Sequence, residues 1–320
     1  MRFYDIERVS YLSMKHESYD VFCSAPNVEK RSQSFFVNGV TACDINKVFL
    51  IDFPNFHKSE YEGKLNEFYD SIDREYERIV IESDETASFI RNAVNNDNKI
   101  AIDLTGFSIP NIYQIIHALY KVIRKGLVDF YYTEPKLYIY SNTGYYDEYH
   151  PKSKQRQCSP IKGYINSGEN QEEILVIFLG FDGGLAQQVY LVIAEESIDV
   201  IDTFAINGLP SYAAKLKDVS ILNNHDLITR IGINNLRFAS ANNPFSAYNT
   251  LVDLSRQYKN TLLNVCTIGS KPMAIGASLF ALDNPQRVKI TYPFYSKTEF
   301  DVDEEPGITW RYSILQRSDE

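Results

Sequence analysis

The sequence is short of cysteine, of histidine and of positive charge. Its four cysteines, Cys23, Cys43, Cys158 and Cys266, form no Cys-x-x-Cys pair, and its five histidines are scattered. The pattern offers no zinc-ligand spacing, and no metal is expected. Cys23 and Cys266 stand inside apolar runs, where a free thiol behaves as a small hydrophobe. Lysine and arginine number 32 against 42 acidic residues, a formal net charge of −10. A duplex-DNA partner needs a clustered basic footprint. The clearest cluster, Lys152, Lys154 and Arg156, lies in a short polar stretch and reads as a solvated loop, so no duplex DNA is expected. Small anions stay open, because one lysine or one helix N-terminus can hold a phosphate. No apolar run approaches the roughly 18 residues of a membrane span. The start, MRFYDIERVS, is polar and predicts no signal peptide. A reducing, cytoplasmic location is the expectation. The sequence also has no Ser-His-Asp ordering, no His-Glu-x-x-His and no carboxylate pair whose spacing compels glycosidase or nuclease chemistry, so no catalytic residue is assigned.

What is present is a large core. Apolar residues make up 44% of the 320, with 23 tyrosines and 19 phenylalanines, enough for two domains or one large α/β unit. Buried-strand patterns run through Tyr19–Pro26, Lys47–Phe53, Glu77–Ser83, Lys99–Phe107 and Val128–Thr133. Helical patterns follow Asn27 and cover Ser59–Tyr76, Asp84–Val94 and Asn111–Gly126. In the last, Ile112, Ile115, Ile116, Leu119 and Ile123 share one face, with Pro110 before and Gly126 after. Residues 141–170 are polar and read as an irregular connection, with a hairpin as an option. The plan then restarts: strands over Glu173–Gly184, Ser197–Phe204, Thr261–Ser270 and Arg287–Phe294, helices over LAQQVYLVIAEE, Asn243–Tyr258 and KPMAIGASLFAL, and a final strand in TWRYSIL.

Alternating strands and helices of this length predict parallel sheets covered on both faces. The order repeats as well. Ser24 has a counterpart near Gly180, Ile51-Asp52 in Ile201-Asp202, IDLTG in VCTIG, and DFYYT in KITYP. The expected fold class is α/β, with two Rossmann-like parallel-sheet halves related by internal duplication: 1–140, a connection over 141–170, and 171–320.

Ligands of open parallel sheets bind beyond the carboxyl ends of the strands, at the switch in strand order. Four turns deliver small or polar residues there. CSAPN carries Ser24 and Asn27, with Arg31 one turn into the next helix. DLTGFS carries Asp103 and Thr105. GFDGG carries Gly180, Asp182 and Gly183, and TIGSK carries Thr267, Gly269, Ser270 and Lys271. Asp182 either caps the next helix or contacts a ligand, Asp103 is a buried hydrogen-bonding group or a site residue, and Arg31 reaches a phosphate or makes a surface ion pair. GFDGG is not a dinucleotide fingerprint, and TIGSK lacks the P-loop spacing, so neither a bound cofactor nor P-loop hydrolysis is expected. Ser270 suits an N-cap and Pro272 a first turn. Lys271 opposes the helix dipole there, which calls for an acidic partner or an anionic ligand.

The stretch NVCTIGSKPMAIGASLFAL resembles domains of the CRISPR-associated Rossmann fold (CARF) superfamily. These carry a strand ending in Asn-x-Thr-Gly-Gly-Thr-Lys-x-Met before a helix of small and apolar residues. Asn264, Thr267, Gly269, Ser270, Lys271 and Met273 line up with that pattern, with Ile268 where a second glycine is usual and Ser270 in place of threonine. IDLTGF looks like a degenerate copy without the lysine, and CSAPNVEKRS is similar to the first-strand ligand loop. The resemblance implies a sensor of a prokaryotic anti-phage system. Two such domains pair across a two-fold axis around a nucleotide or cyclic oligonucleotide, and the output passes to an effector protein from the same locus. The alternatives are an enzyme that cleaves a nucleotide or phosphate ester, as ring nucleases do, and a non-catalytic scaffold subunit.

Overall fold

The computed structural model describes residues 2–9, 13–53, 59–136, 154–164, 172–195, 197–212, 216–296 and 305–316. The elements run β1 (Arg2–Arg8), β2 (Ser18–Ser24), α1 (Lys30–Asn38), β3 (Asp44–Asp52), α2 (Ser59–Asp70), β4 (Glu77–Val80), α3 (Thr86–Ala93), β5 (Ile100–Asp103), α4 (Ile109–Ile123) and β6 (Val128–Pro135). There follow β7 (Lys154–Pro160), β8 (Glu173–Phe178), α5 (Gly183–Tyr190), β9 (Val200–Gly208), α6 (Leu216–Asn223), α7 (His225–Ile231), β10 (Leu236–Ala239), α8 (Pro244–Gln257), β11 (Leu262–Thr267), α9 (Lys271–Asp283), β12 (Val288–Ser296) and β13 (Pro306–Gln316).

The chain divides into two compact units, Met1–Ile139 with Phe300–Glu320, and Tyr140–Glu299. The first holds a sheet ordered β1-β13-β6-β5-β2-β3-β4, the second one ordered β10-β9-β8-β11-β12-β7. Counting only the parallel strands of each unit in chain order, both sheets read 3-2-1-4-5, so the switch point lies between β2 and β5 in one and between β8 and β11 in the other. The strand equivalences expected from the repeat (β2 with β8, β3 with β9, β5 with β11, β6 with β12) are the topological ones.

Three features depart from the sequence reading. Residues 171–320 do not form one half, because β13 pairs antiparallel with β6 and β1 in the first sheet. The polar start and the polar connection each hold an edge strand: β1 pairs with β13, and β7 pairs antiparallel with β12. Of the connection, only residues 154–164 are among those described. Between β9 and α8 lie α6, α7 and the edge strand β10, none of them expected. An edge strand buries one rim at most, so its sequence carries no continuous apolar run.

The helices form where local chemistry supports them. At the start of α4, Ser108 and Asn111 make a reciprocal capping box beside Pro110, and the expected stripe Ile112, Ile115, Ile116, Leu119 and Ile123 is buried. Each such side chain contributes about 2 kcal/mol by leaving water. On the first sheet, Phe22, Phe35, Phe36, Val48, Leu50, Leu65 and Phe68 join α1 and α2 to β2 and β3. On the second, Leu175, Ile177, Ala186, Val189, Ala205, Leu227 and Cys266 join α5 and α7 to the strands. Burial pushes the Cys23 and Cys266 thiols well up and the Cys43 thiol to about 11, with Glu17 adding to the last. These thiols are packing groups, not nucleophiles.

A polar knot ties the amino ends of the first sheet. Arg311 on β13 donates to Glu17 (2.6 Å) and pairs with Glu7 on β1 (2.7 Å), while Lys99 pairs with Glu17 (3.2 Å). Tyr19 Oη donates to Asp129 (2.7 Å) and shares a hydrogen bond with Tyr131 Oη (2.7 Å). Burial raises the Glu17 carboxyl, but the hydrogen bonds and charges of Arg311 and Lys99 outweigh it and hold the group below the usual carboxylate range. A depressed carboxylate stabilises the fold above its unfolded pKa and loses that contribution as pH falls through its folded value. Urea midpoints of the first unit are therefore expected to fall as pH drops below about 4.5. Glu17→Gln is expected to remove up to about 1 kcal/mol of that dependence. An unchanged pH slope in the variant would contradict this assignment.

Candidate functional site at the switch points

The site residues named from sequence fall into two groups, one at each switch point. In the first unit, Ser24 ends β2 and stands in register beside Asp103, which ends β5. Asp103 Oδ1 accepts from Thr105 N (2.9 Å) and Thr105 Oγ1 (2.5 Å), and Thr105 Oγ1 accepts from Thr133 N on β6 (2.9 Å). Ser24, Asp103, Thr105 and Thr133 are fully buried. Ser24 Oγ has no hydrogen-bond partner among the described residues.

Asn27 shapes the turn into α1. Its side-chain oxygen accepts from Glu29 N (2.8 Å) and Ser32 Oγ (2.9 Å), and its carbonyl accepts from Gln33 Nε2 (2.8 Å). Arg31 lies inward, paired with Glu29 at 2.9 Å with both side chains largely buried, and its second guanidinium nitrogen reaches Thr133 O at 3.4 Å. In place of the surface ion pair expected for Arg31, the geometry shows one that is largely buried, with Glu29. The two turns also touch. A Cβ on Gly106 would stand 1.7 Å from Ala25 O, so the glycine is needed where the β5–α4 turn meets the β2–α1 turn. Backbone fills the space in which a ligand would otherwise approach.

The second switch point is built the same way. A Cβ on Gly180 would lie 2.3 Å from Ile268 O, and one on Gly269 would lie 2.8 Å from Leu179 O. GFDGG and TIGSK are thus packed directly on each other. Gly183 meets Asn223 O at 1.6 Å by the same construction. Ser220 Oγ (2.9 Å) and Asn224 Nδ2 (3.0 Å) donate to Gly180 O, and Asn223 Nδ2 donates to Phe181 O (2.8 Å). These three residues of the α6–α7 segment hold the loop, and sequence reasoning missed them because nothing in ILNNHD marks a long-range contact.

Two polar residues of these turns, Asp182 and Ser270, have structural tasks. Asp182 caps α5 by accepting from Leu185 N (2.9 Å). Ser270 caps α9, accepting from Met273 N (3.4 Å), and also donates to Ala241 O. Thr267 is fully buried at the end of β11. Asn264, aligned above with the sensor motif, is tied to Thr291 (2.7 Å) and Glu173 (3.4 Å). Pro272 has no N–H, so the first turn of α9 has few amides to offer an anion. Lys271, the first residue of α9, is half-buried at the carboxyl end of the second unit's fourth parallel strand.

No family model matches the sequence, and no curated protein matches it. Among solved structures, the chain is similar to a putative universal stress protein from Pseudomonas aeruginosa UCBPP-PA14, at 8% identity and a TM-score of 0.27, over 88% of this chain and 95% of that one. A functionally unknown protein from Pseudomonas aeruginosa PAO1 is similar at 8% identity and a TM-score of 0.26, over 88% and 93%. Likenesses this low carry no conclusion about function. No described helix is long and apolar enough to cross a membrane.

Proposed function

We propose that the protein is a ligand-binding regulatory subunit of an anti-phage system, that its ligand is a nucleotide or cyclic oligonucleotide, and that it acts through a partner effector. The observation that supports this reading is the position of Lys271: a cation on the first residue of α9, half-buried at the carboxyl end of β11 beside a switch point. A phosphate over the α9 N-terminus would meet that side chain at the position where Rossmann-type sheets receive ligands. Because backbone contacts seal the crevices beneath, the ligand lies over the turns, with Lys271 on phosphate and the GFDGG turn beside it.

Titration calorimetry of the full chain with mononucleotides and cyclic di-, tri- and tetranucleotides tests the reading. Saturable binding is expected for one class, weakened about 10- to 100-fold in Lys271→Ala, as fits loss of a charge-assisted hydrogen bond. No heat across the panel, or equal affinity in the variant, contradicts it. Chromatography of the ligand after incubation separates binding from turnover: intact ligand is expected, and cleaved ligand would make the protein an enzyme.

A further inference from the structure

The stem from which the second unit departs is part of the first. β6 and β13 pair antiparallel from Pro135↔Pro306 to Asp129↔Ser313. At its open end Lys136 N donates to Glu305 O (2.9 Å) and Lys136 Nζ to Glu305 Oε2 (2.6 Å), although the two residues are 169 positions apart. Gly307 sits where a Cβ would crowd Glu134 O, Pro135 O and Lys136 N at 2.9–3.1 Å. Tyr140–Glu299 lies wholly between the two strands in sequence. In the second unit β7 pairs directly with β12; in the first, β13 stands between the corresponding strands β1 and β6.

We propose that the second unit is a domain inserted into the β6–β13 hairpin of the first, and that the hairpin stem couples its folding state to the first unit's switch point. Within the folded second unit Lys154 is paired with Ser296, so the fold itself closes most of the chain that separates the two stem strands. Between Lys136 and Glu305 an unfolded insert leaves a loop of 168 residues, against the 25 of 137–153 and 297–304 when Lys154 and Ser296 are paired, which lowers the probability of a paired stem roughly 17-fold, as the 3/2 power of the length ratio. The stem reaches the switch point through hydrogen bonds on the page. Thr133 Oγ1 meets Thr309 Oγ1 across it (2.9 Å), and Thr133 N holds Thr105 Oγ1, which in turn holds Asp103. Opening the stem frees Thr133 from Thr309 on one side, leaving β6 paired only with β5, and so loosens the donor that fixes the Thr105 turn. Coupling is reciprocal, so the closed stem also stabilises the insert, as a cross-link would.

The chain carries its own probe, since its one tryptophan, Trp310, lies on β13 opposite Tyr132. Full-length Leu251→Ala removes a fully buried side chain from α8 in the second unit. Its urea titration, followed by Trp310 emission, is expected to show a lower midpoint than wild type. Amide exchange at Thr105 and Thr133 is expected to speed up by about tenfold or more. Gly276→Val, whose Cβ would meet Pro244 O at 1.9 Å, is a harsher version of the same test. The proposal is overturned if amides of β8 and β11 lose protection in Leu251→Ala while Trp310 midpoint and Thr105 and Thr133 exchange stay at wild-type values. The same pattern in Gly276→Val without urea overturns it equally.

Discussion

Replacing Gly106 by alanine is expected to destabilise the first unit by about 3 kcal/mol or more, and Gly183→Ala to do the same to the second. At both positions the added methyl would fall on a backbone carbonyl oxygen, Ala25 O at 1.7 Å and Asn223 O at 1.6 Å. A backbone atom of a packed neighbouring turn cannot rotate away as a side-chain tip can, so the turns must separate. Two glycines serve as controls. At Gly184 the nearest atom is Asp182 Oδ1 at 3.4 Å, and at Gly63 in α2 nothing lies within 4 Å. Gly184→Ala is expected to be tolerated. Gly63→Ala is expected to be neutral or to stabilise by up to about 1 kcal/mol, through helix propensity. Urea unfolding read by far-ultraviolet ellipticity and Trp310 emission checks all four. If Gly106→Ala and Gly183→Ala unfold with the controls, the glycines are not packing residues, and a ligand-approach role for these turns regains its force.

Arg311→Ala is expected to cost the first unit about 1–2 kcal/mol, between the values for exposed and for buried ion pairs, because the guanidinium is largely buried while Glu7 and Glu17 keep solvent contact. The guanidinium joins strands from both ends of the chain, β1 through Glu7 and β13 through its own backbone, to the segment before β2 through Glu17. Without it, Glu17 keeps Lys99 and Glu7 loses this partner. Arg311→Lys is expected to recover only part of the loss, since an ammonium lacks the planar fork that serves two carboxylates at once. A Trp310 midpoint unchanged in Arg311→Ala would show that the knot contributes nothing and that β1 is held by its backbone ladder alone.

The parallel cores of both units were legible in the sequence because a strand buried on both faces is a continuous apolar run. LVIF in β8 and VFLI in β3 are of this kind, and such runs followed by amphipathic helices leave few alternatives. Lys154–Pro160, reading KQRQCSP, has no such run, and neither does RFYDIER in β1. Their pairing is fixed by β12 and β13 across long sequence separations, so local pattern could not find them. The assignment of residues 171–320 to a second half failed for the same reason: TWRYSIL was visible as a strand, but its partners lie at the start of the chain. At the sites, Ser270 and Asp182 as helix caps follow from local spacing. The task of the glycines does not, because Ala25 O and Asn223 O are tertiary neighbours. What looked like two glycine loops opened for a ligand are two pairs of turns closed on each other, and Lys271 stands at the edge of one of them.

Amide exchange of the full chain, measured with and without saturating members of the cyclic nucleotide panel, tests the central claim most directly. One ligand is expected to slow exchange at the amides that open α9 and α5, Lys271 with Met273 and Ala274, and Gly183 with Gly184, and to lose this footprint in Lys271→Ala. Exchange at those amides that no member of the panel changes, or protection confined to surfaces away from both turns, would contradict the account.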